Sequence, residues 1–514
     1  MTAGGGSELD PVSLQVLIGG LRAACEEMGA VLIRSAHSPN IKERHDCSTA
    51  LFDARGELVM QAEHIPVHLG SMPDAVAAVI ESEQRPGDVW ILNDPFAGGT
   101  HLPDITLVSP LFAGESLVGF AASRAHHADV GGPTPGGMPA DSTTLADEGI
   151  VITPVRADDE TLGELSERMR NPAERLADLR AQRAANLTGE RRIAELAERL
   201  GRERLAAGME AILDYAERRT RAALARLPDG EYEARDVLEG GPDGGEDVEL
   251  RVRATVTGDG LRLDFSGTAD QVEGNLNCPL AVTKSAAFFA VRVLTDPDAP
   301  PSAGAHRPVE VVAPKGCLLN ARPPAAVAAG NVETSSRVAD LVFAVFGQIG
   351  DEALDVPAQG QGTMNNLTLA GEGFTYYETL GGGQGACPDG DGPSAVHVAM
   401  SNSLNTPVEA LETEYPLRVR ELGLRRGSGG DGRHRGGDGI VREIEALAPM
   451  RYTLITERRR HAPQGAAGGA PGAAGRNSLN GQPLPGRAAG ELAAGDRLRI
   501  ETPGGGGWGA GKAT

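Results

Sequence analysis

The spacing of hydrophobic residues predicts helices and short strands in the first third of the chain. From Pro11 to Ala36, apolar residues recur at intervals of three and four, which is typical of an amphipathic helix. A second helix is predicted over 72–81. Apolar runs bounded by turn residues predict four strands: 48–52, 89–92, 105–109 and 117–123.

The hydrophobic pattern changes twice further along the chain. Residues 160–227 carry Glu, Arg, Ala and Leu at helical spacing, which predicts a helical hairpin broken near Gly201. Strict alternation over 248–256, followed by the turn at 258–260, predicts a β-hairpin. Later elements are predicted as two helices and a terminal strand: near 280–294, near 331–347 and over 497–501.

Together these elements predict a mixed α/β (α+β) protein with three parts. The N-terminal part, 9–157, is a mixed domain that carries the chemistry. A helical segment, 158–228, follows it, and 229–514 form a β-rich domain. Residues 1–8 form a polar, glycine-rich tail. The 514 residues suffice for two or three domains or for one composite core.

Composition and charge exclude several classes of function. The net charge is −23 and no stripe of basic residues is present, so nucleic acid and anionic membrane surfaces are not expected partners. No apolar run approaches the ~18 residues of a membrane span, and the N-terminus lacks a secretion signal. The five cysteines are widely separated and form no C-x-x-C pair, which indicates a reducing, cytoplasmic location.

Histidines are concentrated in one region of the chain. Seven of the eleven lie between residues 37 and 127, where even scatter would place about two. Three motifs there combine imidazole with carboxylate: 43–48, 93–104 and 124–132. These donors, without thiolates, suit Zn²⁺, Mn²⁺ or Fe²⁺. Singly, each motif fits a turn or a cap as well or better. Together, and next to predicted strands, they favour a metal site.

The spacing within the motifs indicates how the side chains are directed. In His101-x-x-Asp104, a turn directs both side chains to one ion. His126 and His127 are adjacent after a strand and therefore point to opposite sides. His64 and His68 are four residues apart, but Pro66 between them disfavours a helical ligand pair, so pocket lining and core packing stay equal alternatives.

Common nucleotide-binding and hydrolase signatures are absent from the sequence. No G-x-x-x-x-G-K-[ST] loop and no strand-linked G-x-G-x-x-G occur, so no bound nucleotide cofactor is expected. No G-x-S-x-G nucleophile elbow occurs either. The glycine runs at 381–383 and 504–507 are interpreted as structural turns, and 462–490 as a Gly/Ala/Pro-rich surface segment.

Motifs spread along the whole chain resemble the hydantoinase B/oxoprolinase family. The matching segments are 40–44, 64–72, 93–104, 125–129, 170–172, 264–268, 329–335, 381–385 and 405–409. That family includes the B-type subunit of N-methylhydantoinases, the corresponding half of 5-oxoprolinases, caprolactamase-type enzymes and subunits of acetone and acetophenone carboxylases. The order and number of these motifs make the resemblance specific.

The resemblance implies chemistry divided between two kinds of subunit. A hydantoinase A-type partner, an ATPase, phosphorylates the carbonyl oxygen of a small-molecule substrate. The B-type subunit then acts on the activated species with a divalent metal. We therefore expect a metal-dependent, ATP-coupled hydrolase of cyclic amides such as hydantoins, lactams or 5-oxoproline. ATP is expected on the partner in a hetero-oligomer, because nothing resembling the ATPase is fused here.

The resemblance also implies roles for individual residues. One divalent ion would be held by four ligands: Glu43, His101, Asp104 and His126. Asp46 is the alternative to Glu43 as the first carboxylate. Catalytic roles, in orienting ligands, transferring protons or lining the pocket, are implied for four more residues: His127, Asp129, His64 and His68. Asn331 and Glu333 are weaker candidates for the pocket or an interface.

Two other functions remain open at this point. A subunit of an ATP-dependent ketone carboxylase would use the same metal scaffold, and the sequence does not separate hydrolysis from carboxylation. A non-catalytic scaffold for the ATPase partner would use the polar motifs only for structure.

Overall fold

The computed structural model describes residues 9–240, 245–349 and 354–511. The tail predicted over 1–8 lies outside these described residues. The chain has a mixed α/β fold with several sheets, as the sequence predicted.

Ten α-helices occur in the described part of the chain. In chain order they are α1 (Pro11–Ser35), α2 (Pro39–Lys42), α3 (Met72–Ile80), α4 (Asp159–Glu167), α5 (Pro172–Leu200), α6 (Arg202–Leu224), α7 (Leu280–Thr295), α8 (Ala303–His306), α9 (Ser335–Phe346) and α10 (Val408–Glu414). The predicted helical hairpin is confirmed, with its break at Gly201. The helix predicted near 331–347 begins with a π-helical turn, Gly330–Thr334, and continues as α9.

The strands form four sheets. The first ten are β1 (Cys47–Asp53), β2 (Leu58–Glu63), β3 (Trp90–Leu92), β4 (Asp104–Ala113), β5 (Ser116–His126), β6 (Val155–Arg156), β7 (Gly230–Leu238), β8 (Val248–Thr257), β9 (Gly260–Asp264) and β10 (Val309–Val312). The remaining nine are β11 (Asn366–Gly371), β12 (Phe374–Glu378), β13 (Leu417–Arg425), β14 (Gly439–Ala446), β15 (Met450–Ile455), β16 (Arg476–Leu479), β17 (Gln482–Leu484), β18 (Arg487–Leu492) and β19 (Arg497–Glu501).

The N-terminal sheet has the order β2-β1-β5-β4-β3-β6 and is covered on both faces. On one face, Leu51 and Ala121 pack in a cluster with residues of α1, α5 and α6. On the other, Phe52 and Phe120 pack with residues of α3. The segment predicted as a separate helical part thus shares its core with this sheet. Strand β1 is consequently buried at every position and lacks the alternation of a half-exposed strand.

The remaining strands form three smaller sheets. Their orders are β10-β9-β8-β7, β12-β11-β15-β18 and β13-β14-β19-β16-β17. Helices α7 and α9 share a core with the first of these sheets. The other two sheets contribute to one common cluster, as in a sandwich. The segment 462–490 was interpreted as surface, but it contains β16, β17 and part of β18, which pair within both sheets of this sandwich.

The glycine run Gly504–Gly507 differs from the predicted turns. All four residues are buried, and none has a positive φ. Their backbone groups bond other glycine-rich stretches; for example, Gly505 donates to the Gly437 carbonyl at 2.9 Å. A Cβ on any of the four would collide with a carbonyl oxygen of a neighbouring segment. Close backbone packing, rather than turn conformation, therefore requires glycine here.

The sequence predicts neither a membrane-spanning helix nor a disulfide framework. In the described ranges, no helix combines the length and the apolar character that crossing a membrane requires. All five cysteines lie within those ranges, and none takes part in a disulfide; four of them are buried.

Candidate metal centre

His101, Asp104 and His126 converge on one point in the N-terminal sheet. Each offers a ligand atom within 4.8 Å of the other two, and all three are buried. Asp104 is central, because its Oδ1 lies 3.0 Å from His101 Nε2 and 3.1 Å from His126 Nδ1. Donor atoms bound to one ion at ~2.1 Å lie about 3 Å apart, so this spacing suits a shared cation.

The register of β4 and β5 brings Asp104 and His126 together. Asp104 is the first residue of β4, His126 is the last of β5, and the two are paired across the antiparallel ladder. Gly114 and Glu115 join the two strands in a tight turn, and a bulge between Leu111 and Phe112 shifts the pairing by one residue, which places Asp104 opposite His126. Two residues 22 positions apart in sequence therefore become direct neighbours.

His101 reaches Asp104 through a turn, as the sequence predicted. The Asp104 N–H donates to the His101 carbonyl at 3.1 Å, which directs both side chains to the same side. Asn93 holds this loop, because its amide donates to the carbonyls of Leu102 and Ile150. Gly99 packs directly on the backbone of Asn93, and no side chain would fit there.

The second carboxylate oxygen of Asp104 has its own partners. Oδ2 accepts from the Thr100 hydroxyl at 2.7 Å and lies 3.3 Å from His68 Nε2. The other ring nitrogen of His68 lies 2.9 Å from the Ser48 hydroxyl. With Nε2–H donating to Asp104, Nδ1 accepts from Ser48, so both bonds fit one tautomer. These contacts fix the carboxylate plane.

Burial and charge act in opposite directions at this site. Burial alone would raise the pKa of Asp104, but His101, with the hydrogen bonds from His126 and His68, holds that pKa well below its usual range. Burial lowers the pKa of His126, against the pull of Asp104. The site is therefore an ionised carboxylate in contact with the imidazole of His126, whose charged form burial disfavours.

Several nitrogen atoms in the site lack a hydrogen bond. Within the described residues, Nε2 of His126 and both ring nitrogens of His101 are buried without one, because His101 Nε2 is not aligned for donation to Asp104. Buried polar atoms are normally paired, and imidazole nitrogens without a partner beside an ionised carboxylate form a donor arrangement that fits a cation. The donor set of two imidazoles and one carboxylate fits a divalent transition metal.

The two candidate first carboxylates occupy different places. Asp46 is buried and acts electrostatically on both His126 and Tyr377. Its carbonyl accepts from the His126 N–H at 3.1 Å. Glu43 follows the last residue of α2 and is partly exposed, and neither it nor Asp46 belongs to the group of converging ligand atoms. The strained turn at His45, with a φ of 56°, separates the two carboxylates.

His127 and Asp129 make contacts away from Asp104. His127 points to the opposite side from His126, and its Nε2 lies 2.9 Å from Oε1 of Gln182 on α5. Burial lowers the pKa of His127 to about 4. Asp129 accepts from the N–H groups of Gly131 and Gly136 and pairs with Arg170 at 3.1 Å. Both residues hold the loop that follows β5.

His64 lies apart from His68. Its ring faces His45 edge-on, with 6.3 Å between centroids, and it lines an open cleft with Gln61 and Arg22. Burial lowers the pKa of His64. Pro66 begins a short 3-10 helix, Pro66–His68, which turns His68 inward to Asp104 and leaves His64 outside.

Some residues around the site carried no signal in the sequence. Thr100 lies in a motif but was not singled out. Glu148 is buried beside His101 and accepts from the N–H groups of Val327 and Ala328, and burial raises its pKa to about 7. Tyr377, from β12, stacks on His126 with 4.3 Å between ring centroids. Only the fold joins these distant segments.

The chain is similar to known proteins along almost its whole length. It is 38% identical to 5-oxoprolinase 1 of Arabidopsis thaliana over 98% of this chain and 42% of that protein. The chain thus spans about two fifths of the length of the curated 5-oxoprolinases that it matches.

Two solved structures share the fold. The ATP-dependent caprolactamase from Pseudomonas jessenii aligns with a TM-score of 0.90 and 28% identity, over 98% of this chain and 91% of that chain. A nucleotide-free acetone carboxylase aligns with a TM-score of 0.86 over 97% of this chain and 76% of that chain, but at 19% identity that likeness concerns the fold alone.

A family model covers nearly the whole sequence. The model for hydantoinase B/oxoprolinase matches residues 10–511, which include every motif on which the resemblance depended. The chain therefore belongs to the hydantoinase B/oxoprolinase family.

Proposed function

We propose that this chain is the metal-binding part of an ATP-dependent enzyme that opens a cyclic amide. The observation that carries the proposal is the convergence of buried His101, Asp104 and His126, with imidazole nitrogens that lack hydrogen bonds. The names of the caprolactamase and 5-oxoprolinase relatives support a lactam-like substrate.

The chain's own residues have distinct parts in this proposal. His101, Asp104 and His126 bind one divalent ion, which we expect to be Zn²⁺, Mn²⁺ or Fe²⁺. Asp46 is the better fourth ligand than Glu43, because it is buried and acts on His126. A bound ion would supply Lewis-acid stabilisation of charge that develops on a substrate oxygen.

The residues around these ligands hold them in place. His68 and Thr100 fix the outer oxygen of Asp104, which leaves Oδ1 directed to the histidines. We assign His127 and Asp129 to the support of the loop after β5 rather than to proton transfer, because their partners are Gln182, Arg170 and backbone amides.

ATP has to be used elsewhere under this proposal. The sequence carries no glycine-rich phosphate loop of the common kinds, whereas the related caprolactamase is ATP-dependent. We therefore propose a hydantoinase A-type ATPase partner that phosphorylates the amide oxygen, in a cytoplasmic hetero-oligomer. Phosphorylation makes the carbonyl carbon of an otherwise unreactive amide electrophilic.

The test combines metal analysis with reconstitution. The purified chain should contain about one divalent ion, measured by mass spectrometry of the metal. Co-expressed with an ATPase partner and given ATP, it should convert a lactam, a hydantoin or 5-oxoproline to the ring-opened product. Product that forms only with a ketone and bicarbonate would replace hydrolysis by carboxylation. A protein without metal that still supports ATP hydrolysis by its partner would be a scaffold.

A further inference from the structure

We propose that Tyr377, a residue of the C-terminal sandwich, positions the imidazole of His126 for metal binding. This inference rests on the proposed function, since it takes His126 as a ligand. It adds a residue from a distant part of the chain that is not itself a ligand of the metal and acts through the histidine ring.

The first observation is the contact between the two rings. They are stacked with 4.3 Å between centroids and 18° between planes, and both are buried: Tyr377 is 1% exposed and His126 is 3% exposed. An imidazole turns about its Cβ–Cγ bond unless packing holds its plane. A ring lying flat against one face removes that freedom. Both nitrogens of His126 thereby keep fixed directions.

The second observation is that Tyr377 is itself held at three points. Its hydroxyl donates to Oδ1 of Asn366 at 2.6 Å, and its carbonyl accepts from Nη1 of Arg44 at 2.8 Å. The Arg44 guanidinium also lies 5.4 Å from the Tyr377 ring centroid. Arg44 is two residues before Asp46. Tyr377 is therefore connected both to its own sheet and to the loop that carries Asp46, the proposed fourth ligand.

The third observation is that the anchor continues into the protein interior. The amide of Asn366 donates to Glu333 Oε1 and to the Ile455 carbonyl, each at 3.1 Å. Asn366 is 2% exposed and Glu333 is 1% exposed. A chain of buried contacts therefore runs from the π-helical turn through Asn366 and Tyr377 to His126. Such supporting contacts direct a metal-binding histidine as much as its own backbone does.

The neighbouring residue supplies a matched control. Tyr376 has the same side chain and is also 1% exposed, but it lies on the opposite face of β12. Its ring packs against Tyr415, 5.1 Å between centroids, in the core of the sandwich. A substitution there removes the same volume from the same strand without touching His126.

The experiment measures Co²⁺ binding to the full chain in three variants. Tyr377→Leu should weaken Co²⁺ binding by about 10- to 100-fold and change the visible absorption of the bound ion, because the ligand field shifts when His126 turns. Tyr377→Phe keeps the ring face and should restore the wild-type spectrum. Tyr376→Leu should keep both the affinity and the spectrum, while its unfolding midpoint falls about as far as that of Tyr377→Leu.

Three results would contradict the inference, and they can be distinguished from one another. If Tyr377→Leu binds Co²⁺ with wild-type affinity and spectrum, Tyr377 does not position His126. Equal weakening in Tyr376→Leu would make the effect one of general stability. If Tyr377→Leu does not fold, Tyr377→Met, which fills more of the volume without a flat face, takes its place. A wild-type chain that binds no Co²⁺, Zn²⁺ or Mn²⁺ would overturn the proposed metal site itself, which distinguishes that failure from the failure of Tyr377.

Discussion

Two buried clusters of charged residues in this protein are built on different principles. The histidine cluster consists of His68, His101, Asp104 and His126. The arginine cluster consists of Asp236, Arg337, Asp340, Glu457 and Arg458 and joins β7, α9 and the loop after β15. Both are almost inaccessible to water apart from Asp236, whose side chain is 15% exposed, and both contain carboxylates that would be costly to bury alone.

The clusters differ in what neutralises the carboxylates. In the arginine cluster, Arg458 lies 2.7 Å from Asp340 and 3.4 Å from Asp236, and Arg337 lies 3.3 Å from Asp236. A guanidinium carries its charge at every accessible pH, so Asp236 and Asp340 face permanent cations, whereas burial raises the pKa of the third carboxyl, Glu457, to about 7. In the histidine cluster, burial opposes protonation of His126, and the ion-pair partners of Asp104 among the described residues are histidines, although the guanidinium of Arg124 also acts on Asp104 electrostatically. A paired cluster stabilises the fold, whereas an incomplete one has room for a metal ion.

The largest expected effect comes from the central carboxylate. Asp104→Asn keeps the shape and the contact with Thr100 but removes the charge. Metal content should fall from about one ion per chain to almost none, and activity with the ATPase partner should fall at least about 100-fold. The matched control is Asp236→Asn, which removes a carboxylate of the arginine cluster and should leave the metal content unchanged. Full metal occupancy in Asp104→Asn would contradict the difference between the clusters.

The next largest effect is on stability. Arg458→Met leaves Asp340 buried without its closest cation, so the free energy of unfolding should fall by about 3–5 kcal/mol, measured by denaturant titration. Metal content per folded chain should stay the same. In the double variant Arg458→Met, Asp340→Leu, both charges are gone and much of the stability should return. If Arg458→Met were as stable as the wild type, the ion pairs of the arginine cluster would not contribute to the free energy of unfolding.

The histidine cluster could be predicted from the sequence because it is local. His101 and Asp104 lie in one turn, and His126 ends the strand that forms a hairpin with β4. The bulge at Leu111 and Phe112, which sets Asp104 opposite His126, is not evident from the sequence. Dense polar motifs between apolar runs indicated this region, and the family resemblance implied the individual residues. The opposite directions of His126 and His127 followed from strand geometry alone, and the structure confirms them.

Other parts could not be predicted because they depend on distant segments. Arg337 and Asp340 lie on a helix in which charge looks like a solvated face, and only the packing of α9 on β7 buries them. Tyr377 gives no local sign that its ring reaches His126, 251 positions away. Asp46 as the fourth ligand stays a prediction, and the positive φ of His45, which lies between Asp46 and Glu43, is a feature that no pattern of hydrophobic residues reveals.

A third effect depends on pH and concerns the border of the histidine cluster. Burial raises the pKa of Glu148 from its ordinary value near 4.5 to about 7, although Val327 and Ala328 donate to it. A carboxyl whose pKa is raised on folding favours the folded state while it is protonated. Stability from this group is therefore full below pH ~4.5 and is lost as the pH rises to about 7, by about 3 kcal/mol.

The measurement compares the wild type with Glu148→Gln across that range. The amide cannot ionise, so the difference in unfolding free energy between the two proteins should change by about 3 kcal/mol from pH 4.5 to 7.5, in favour of the variant at the higher pH. Glu115→Gln, at the exposed turn between β4 and β5, is the control and should follow the wild type at every pH. A constant difference between wild type and Glu148→Gln would mean that Glu148 is already ionised in the fold.

The smallest expected effect separates the two adjacent histidines. His127→Asn removes the bond to Gln182 and should lower the free energy of unfolding by about 1 kcal/mol at pH 7.5, whereas His126→Asn should abolish metal binding. Because burial lowers the pKa of His127 to about 4, the folded state resists its protonation. The wild type should therefore lose stability as the pH falls from ~6.5 towards 4, and His127→Asn should lose less over that range. If His127→Asn instead released the metal at pH 7.5 while the fold remained intact, His127 would belong to the metal centre as well, although it faces α5.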